Sequence, residues 1–115
     1  MREIKFRGKT MVSGEWVYGD LVRYQTGGRK ITAIYCVGVG FRDVDPQTVG
    51  QFTGLTDKNG KEIYEGDILE NYDQALVTFR DGTFKLEWLA GYVASNLGDG
   101  YAEEMEVVGC SEGLK

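Results

Sequence analysis

Ala75-Leu76-Val77-Thr78-Phe79-Arg80-Asp81-Gly82-Thr83-Phe84-Lys85-Leu86-Glu87-Trp88 is the stretch on which the reading of the fold turns. Two alternating runs flank Asp81-Gly82, a pair suited to the tight turn of a β-hairpin. Leu76, Thr78 and Arg80 alternate with Val77 and Phe79, while Phe84, Leu86 and Trp88 share one face. A period of two with one apolar face is the signature of a half-buried antiparallel strand pair.

The same grammar extends in both directions. Upstream, Glu65-Gly66 turns the chain into a strand that starts at Asp67 and runs to Tyr72. Before it, Gln51–Leu55 and Lys61–Tyr64 are short extended pieces around Thr56-Asp57-Lys58-Asn59-Gly60, where Asn59-Gly60 predicts a hairpin. Downstream, Tyr92–Ala94 is expected to continue the sheet, residues 96–100 to form a loop, and Met105, Val107 and Val108 to close the chain as a strand.

The N-terminal half reads likewise. Arg2–Arg7 alternates, predicting a strand with Ile4 and Phe6 inward, and Ser13-Gly14 turns it toward Trp16–Tyr24, with Gly19 a candidate bulge. Gly27-Gly28 breaks the chain again. Ile31–Val39 is nearly continuous apolar sequence, which predicts a strand buried on both faces or placed at an oligomer contact. Asp45-Pro46 has the form of an N-cap and first turn, but Gly50 follows so soon that one helical turn is the most it supports.

The expected fold is therefore all-β, with several short coiled antiparallel sheets and at most one short helical turn near 45–49. The order of strands from Asp67 onward resembles a small SH3-like barrel. The chain reads as a single domain over 1–115, with an N-terminal β region at 1–60 and a barrel-like region at 61–115. Its 115 residues can bury roughly 65% of the unfolded chain's surface, so a core is attainable without metals or disulfides. An apolar fraction of 42% supports a globular chain, and Cys36 and Cys110 read as isolated, at least half-buried thiols. The start of the chain shows no secretory or membrane-spanning pattern, which predicts a cytoplasmic protein.

The net charge of −5 is unevenly placed. Residues 1–60 carry nine Lys and Arg against six Asp and Glu, and residues 61–115 carry four against twelve. The acidic region repels phosphate, and the cations of the first region are scattered, so the electrostatic case for nucleic acid is weak.

Catalytic and metal-binding chemistry has few places to reside. The chain has no histidine, which removes the commonest general base and metal ligand and every Ser-His-Asp or Cys-His arrangement. Glu62, Glu65 and Asp67 cluster at a turn, where carboxylates commonly bond backbone or face solvent. Asp57-Lys58-Asn59-Gly60 fails as a calcium loop, because Lys61, Glu62 and Ile68 stand where ligands, a glycine and a glutamate are needed. Gly38-Val39-Gly40 lacks a third glycine and a following helix, so no dinucleotide site is expected. The expectation is a protein that is not an enzyme and that uses no cofactor or metal.

The stretch Val44–Ile68, with Asp45-Pro46-Gln47-Thr48-Val49-Gly50-Gln51-Phe52-Thr53-Gly54-Leu55 leading into Thr56–Gly60 and Tyr64-Glu65-Gly66-Asp67-Ile68, resembles the signature of the YopX family. Arg2–Arg7, Trp16-Val17-Tyr18-Gly19, Asp81-Gly82 with Phe84 and Leu86, and Glu106-Val107-Val108-Gly109 resemble its other segments. The resemblance implies a small phage or prophage protein with a mostly-β fold of coiled sheets that self-associates, and it carries over no activity. The expected role is an accessory binding or scaffold module that assembles with itself and with a host or phage protein. A nucleic-acid-binding or acidic DNA-mimic regulator is the alternative. Candidate partner-contact residues are Trp16, Gln51, Asp57, Lys58, Glu65, Asp67 and Trp88.

Overall fold

The computed structural model describes residues 4–111. It consists of two compact units, Met1–Gln51 and Phe52–Lys115, both built from antiparallel strands. The all-β reading is the observed architecture, with the expected short helical turn after Asp45, but the limit of one such turn is corrected: a second forms at Ala102–Glu104.

The first unit holds β1 (Phe6–Lys9), β2 (Trp16–Thr26), β3 (Arg29–Cys36) and β4 (Gly40–Asp43), ordered β4-β3-β2-β1. The first residues of β5 (Gly50–Thr56) pair with the free edge of β1, Gln51 opposite Phe6. Alternation and turn chemistry account for the order. Gly27 and Gly28 take φ of 57° and 79°, so a two-residue loop joins Thr26 to its partner Arg29. Successive left-handed residues match the twist of the strands they connect, and glycine reaches them without a Cβ penalty.

Gly19 proves to be a point of close approach. It lies where β2 exchanges β1 for β3 as partner, and no register shift interrupts either pairing. A Cβ there would stand 2.0 Å from the Tyr35 carbonyl oxygen, closer than any side chain can come.

Asp45 caps the 3-10 turn Pro46–Thr48 by accepting a hydrogen bond from the Gln47 N–H at 3.0 Å. The Thr48 hydroxyl then donates to the Asp45 carbonyl at 2.7 Å and accepts from the Lys9 N–H at 2.8 Å. One buried threonine thus fastens the turn to β1.

Two expectations for this unit are corrected. Ile4 lies outside β1 and is 67% exposed, while Arg7 is buried and Phe6 half-buried. The reason is the Arg7 guanidinium, whose carbon sits 4.4 Å from the centre of the Trp16 ring, so the strand turns a cation inward onto an aromatic face. Arg2 and Glu3, the start of the expected strand, lie outside the described residues. The Ile31–Val39 run is not one strand: β3 ends at Cys36, Gly38 turns with φ 82°, and Val37 and Val39 are exposed. Within it only Ala33 and Ile34 are buried.

In the second unit, the rest of β5 pairs with β6 (Glu62–Tyr64). β7 (Asp67–Glu70), β8 (Gln74–Arg80), β9 (Thr83–Trp88), β10 (Ser95–Asn96) and β11 (Glu106–Cys110) form a sheet in the order β10-β9-β8-β7-β11. The β8–β9 hairpin has the expected register: Ala75 opposes Trp88, Val77 opposes Leu86 and Phe79 opposes Phe84. Asp81 and Gly82 both take positive φ, 54° and 80°.

Ile63, Leu69, Val77, Leu86, Leu97 and Met105 are almost wholly buried together. Each such side chain contributes about 1.5–3 kcal/mol on leaving water, so this cluster is the main stabilising core of the unit. A second 3-10 turn, Ala102–Glu104, buries Ala102 against it. Tyr92–Ala94 does not continue the sheet. It is irregular, Tyr92 and Val93 are exposed, and pairing resumes only at Ser95 and Asn96.

The turn over Thr56–Gly60 joins β5 to β6 as the expected hairpin, with Thr56 opposite Glu62. Gly60 alone among its described residues has positive φ, 81°, so the turn is not of the type needing two left-handed residues. The loop spans Asp57 to Lys61, whose backbones are joined by a 2.8 Å hydrogen bond.

Candidate functional site

The carboxylates of the central motif are engaged by backbone. Asp57 is buried, and its Oδ1 accepts from the N–H of Asn59 at 2.8 Å and of Lys61 at 2.9 Å. Its Oδ2 accepts from the Val107 N–H at 2.9 Å, fifty residues away in sequence. Burial of the carboxylate works against ionisation. The three N–H donors, from Val107, Lys61 and Asn59, and the Lys61 charge outweigh it and hold the pKa below its ordinary 3.8. Asp57 therefore closes its own loop and ties that loop to β11. The Lys58 N–H adds a 3.0 Å bond to the Met105 carbonyl.

Asp67 has the same role at the next turn. It is 1% exposed, and its Oδ2 accepts from the Tyr64 N–H at 2.8 Å. The Tyr64 hydroxyl in turn donates to Glu62 at 3.0 Å. Glu62 and Glu65 are half-buried. Two carboxylates serving backbone N–H groups across turns hold loops in shape.

The other singled-out residues have varied settings. Gln51 is half-buried in β5 opposite Phe6. Trp16 is half-buried, with the Arg7 guanidinium and, at 5.2 Å, the Lys9 ammonium over its ring. Lys58 is exposed. Trp88 is half-buried in β9, its indole N–H donating to the Ser95 hydroxyl at 3.0 Å, and it walls a cleft of about 330 Å³ with Tyr92 and Tyr101. Cys36 and Cys110 are free, half-buried thiols. Among the described residues, no group of three or more Asp, Glu or Cys is placed to hold a metal ion, and no helix is long and apolar enough to cross a membrane.

A surface that the sequence did not single out is the most distinctive in the first unit. Tyr35 opposes Phe41 across the β3–β4 pair, their ring centres 5.0 Å apart and edge to face. Strand alternation puts Tyr18, two residues before the Asp20 that opposes Tyr35, on the same face. Phe41 is 60% exposed, Tyr18 47% and Tyr35 37%. Val37 and Val39, at the β3–β4 turn, are exposed as well. By contrast, Ala33, Ile34 and Val44 are the only buried hydrophobic residues of this unit among those described. β4 is last in the order of the sheet, and the end of its outer edge is already engaged, the Asp43 carbonyl accepting from the Met11 N–H at 3.2 Å and Val44 bridging Thr10, while among the described residues no strand pairs with that edge beside Phe41. The signal for this face was present in the alternation of Tyr18, Tyr35 and Phe41. Its exposure was not, because a buried and an unburied aromatic ladder share one sequence pattern.

Comparison with known proteins agrees with this architecture. The family model described as "YopX protein" matches residues 5–111. No curated protein gives a match. Among solved structures, the crystal structure of protein EF1440 from Enterococcus faecalis is similar, with a TM-score of 0.54 and 24% sequence identity over 96% of this chain and 94% of that one. That likeness is one of fold.

Proposed function

The chain belongs to the YopX family, and from that premise we propose that it is a phage- or prophage-encoded accessory protein that works without catalysis, as a protein-binding module assembling with copies of itself. The observation that carries this reading is the exposed Tyr18–Tyr35–Phe41 face of a unit with little buried apolar core. A sheet needs one apolar face covered to be independently stable, and large aromatics are the side chains that contribute most when an interface desolvates them. The part of the β4 edge beside Phe41 offers backbone pairing to a second strand next to that face. The motif carboxylates support the same reading, since Asp57 and Asp67 are engaged in holding turns.

Sedimentation equilibrium tests this. The wild-type protein is expected to show a mass above that of one chain, rising with concentration. Phe41→Glu is expected to shift it toward one chain while leaving the β circular-dichroism signal intact. A wild-type protein that stays at one chain's mass at every concentration contradicts the reading.

One observation favours a second reading. Arg23, Tyr24 and Lys30 line a groove of about 410 Å³ on the β2–β3 pair. Cations beside an exposed aromatic ring are what a nucleic-acid strand engages. A salt-dependent anisotropy titration with DNA and RNA separates the two, because a flat signal at low salt removes this one.

A further inference from the structure

The Trp88 cleft belongs to the second unit and shares no residue with the proposed assembly face. Three rings shape it. Trp88 meets Tyr92 with ring centres 6.5 Å apart and Tyr101 with centres 5.7 Å apart, each pair inclined at 68°. Two tyrosines set steeply against one indole make walls. A fourth ring is at hand in Tyr72, which is wholly exposed at the rim.

The walls are held in place. The Trp88 N–H is anchored on Ser95, so its ring cannot swing. At the opposite rim Asn71 accepts from the N–H groups of Tyr72 and of Asp73, the latter at 3.1 Å, fixing a tight turn. That turn presents Asp73 to the cleft. Among the described residues no side chain pairs with the Asp73 carboxylate, and no Lys or Arg lines the cleft. The volume of about 330 Å³ is at the small end for a ligand site and leaves room for one long side chain.

Aromatic faces carry negative potential, and a carboxylate beside them adds a formal charge. Aromatic walls alone would suit an apolar group, but the free carboxylate penalises one, since closing the cleft over it would strip a charge of water without a partner. From the geometry we infer that this cleft binds an arginine side chain of a basic partner polypeptide, the guanidinium stacking on one ring of the Trp88–Tyr92 corner and meeting the other at an angle, with Asp73 as counter-ion. A guanidinium both stacks on rings and pairs with a carboxylate, which favours arginine over lysine. The charge of the chain points the same way. Residues 61–115 carry four Lys and Arg against twelve Asp and Glu, which steers a cationic segment toward them.

The test is an NMR titration with a glycine–arginine–glycine peptide blocked at both ends, against the same peptide carrying citrulline, which keeps the shape and removes the charge. The indole N–H of Trp88 is the reporter. The arginine peptide is expected to shift the Trp88 signal and the Tyr92 and Tyr101 ring signals, with a Kd on the order of millimolar for a single side chain. The citrulline peptide should leave them in place. Asp73→Asn and Tyr92→Ala, both at the accessible rim, should weaken binding at least about threefold with the amide spectrum otherwise unchanged. No shift with the arginine peptide, equal shifts with citrulline, or unchanged affinity in both variants would each overturn the inference.

Discussion

Asp57 shows how much of this protein one side chain can organise. Its carboxylate gathers N–H groups from its own loop and from Val107, joining segments that no local rule connects. Hydrogen bonds to a charged acceptor contribute about 1.5–3 kcal/mol each. Asp57→Asn keeps the shape but turns an N–H₂ toward one of those donors. It is expected to lower stability in urea unfolding at pH 7 by about 2 kcal/mol or more. The sign of the pH dependence follows from the lowered pKa. The carboxyl is a stronger acid in the folded chain than in the unfolded one. Its stabilisation is complete above the unfolded value near 3.8 and is lost as pH falls through the folded value. The gap between wild type and Asp57→Asn should therefore be widest at neutral pH and narrow below about pH 4. A gap that is constant with pH would show that the ionised form is not the one that matters.

At the scale of elements, the β8–β9 hairpin was the most legible segment of the sequence, because alternation and turn chemistry agree. The Asp81-Gly82 turn requires two left-handed residues. Gly82→Ala meets no neighbouring atom, so its cost is conformational alone, about 1 kcal/mol, measurable as a lower urea midpoint with an unchanged slope. Where the reading failed, a competing interaction had prevailed. Arg7 took the inward position beside Trp16 and left Ile4 outside. In Ile31–Val39, Gly38 ended the strand that hydrophobicity alone would have prolonged. The β5–β6 hairpin at Asn59-Gly60, by contrast, was legible, and what the sequence did not show is that the Asp57 carboxylate takes the N–H groups of its loop. The Trp88 cleft was illegible for a different reason. Its members come from residues 71–73, 88–95 and 101, and only the sheet register brings them together.

For the molecule as a whole, the division of labour is chemical. The second unit holds the large apolar core and an excess of negative charge. The first has few buried hydrophobic residues and an exposed aromatic ladder. The proposed role in recognition rests on that open aromatic surface. The sequence conveyed the class of fold and the family, since both rest on patterns of local residues. It did not convey which aromatics lie open to a partner, since Phe41 and Phe84 occupy similar alternating runs and only one is buried.

Amide hydrogen exchange at low and high protein concentration tests the assembly face most directly. Self-association through Tyr18, Tyr35 and Phe41 should slow exchange in β3 and β4 as concentration rises, while β7–β9 remain unchanged, and Phe41→Glu should abolish that dependence. Exchange in β3 and β4 that is the same at every concentration, or protection confined to the second unit, would contradict it.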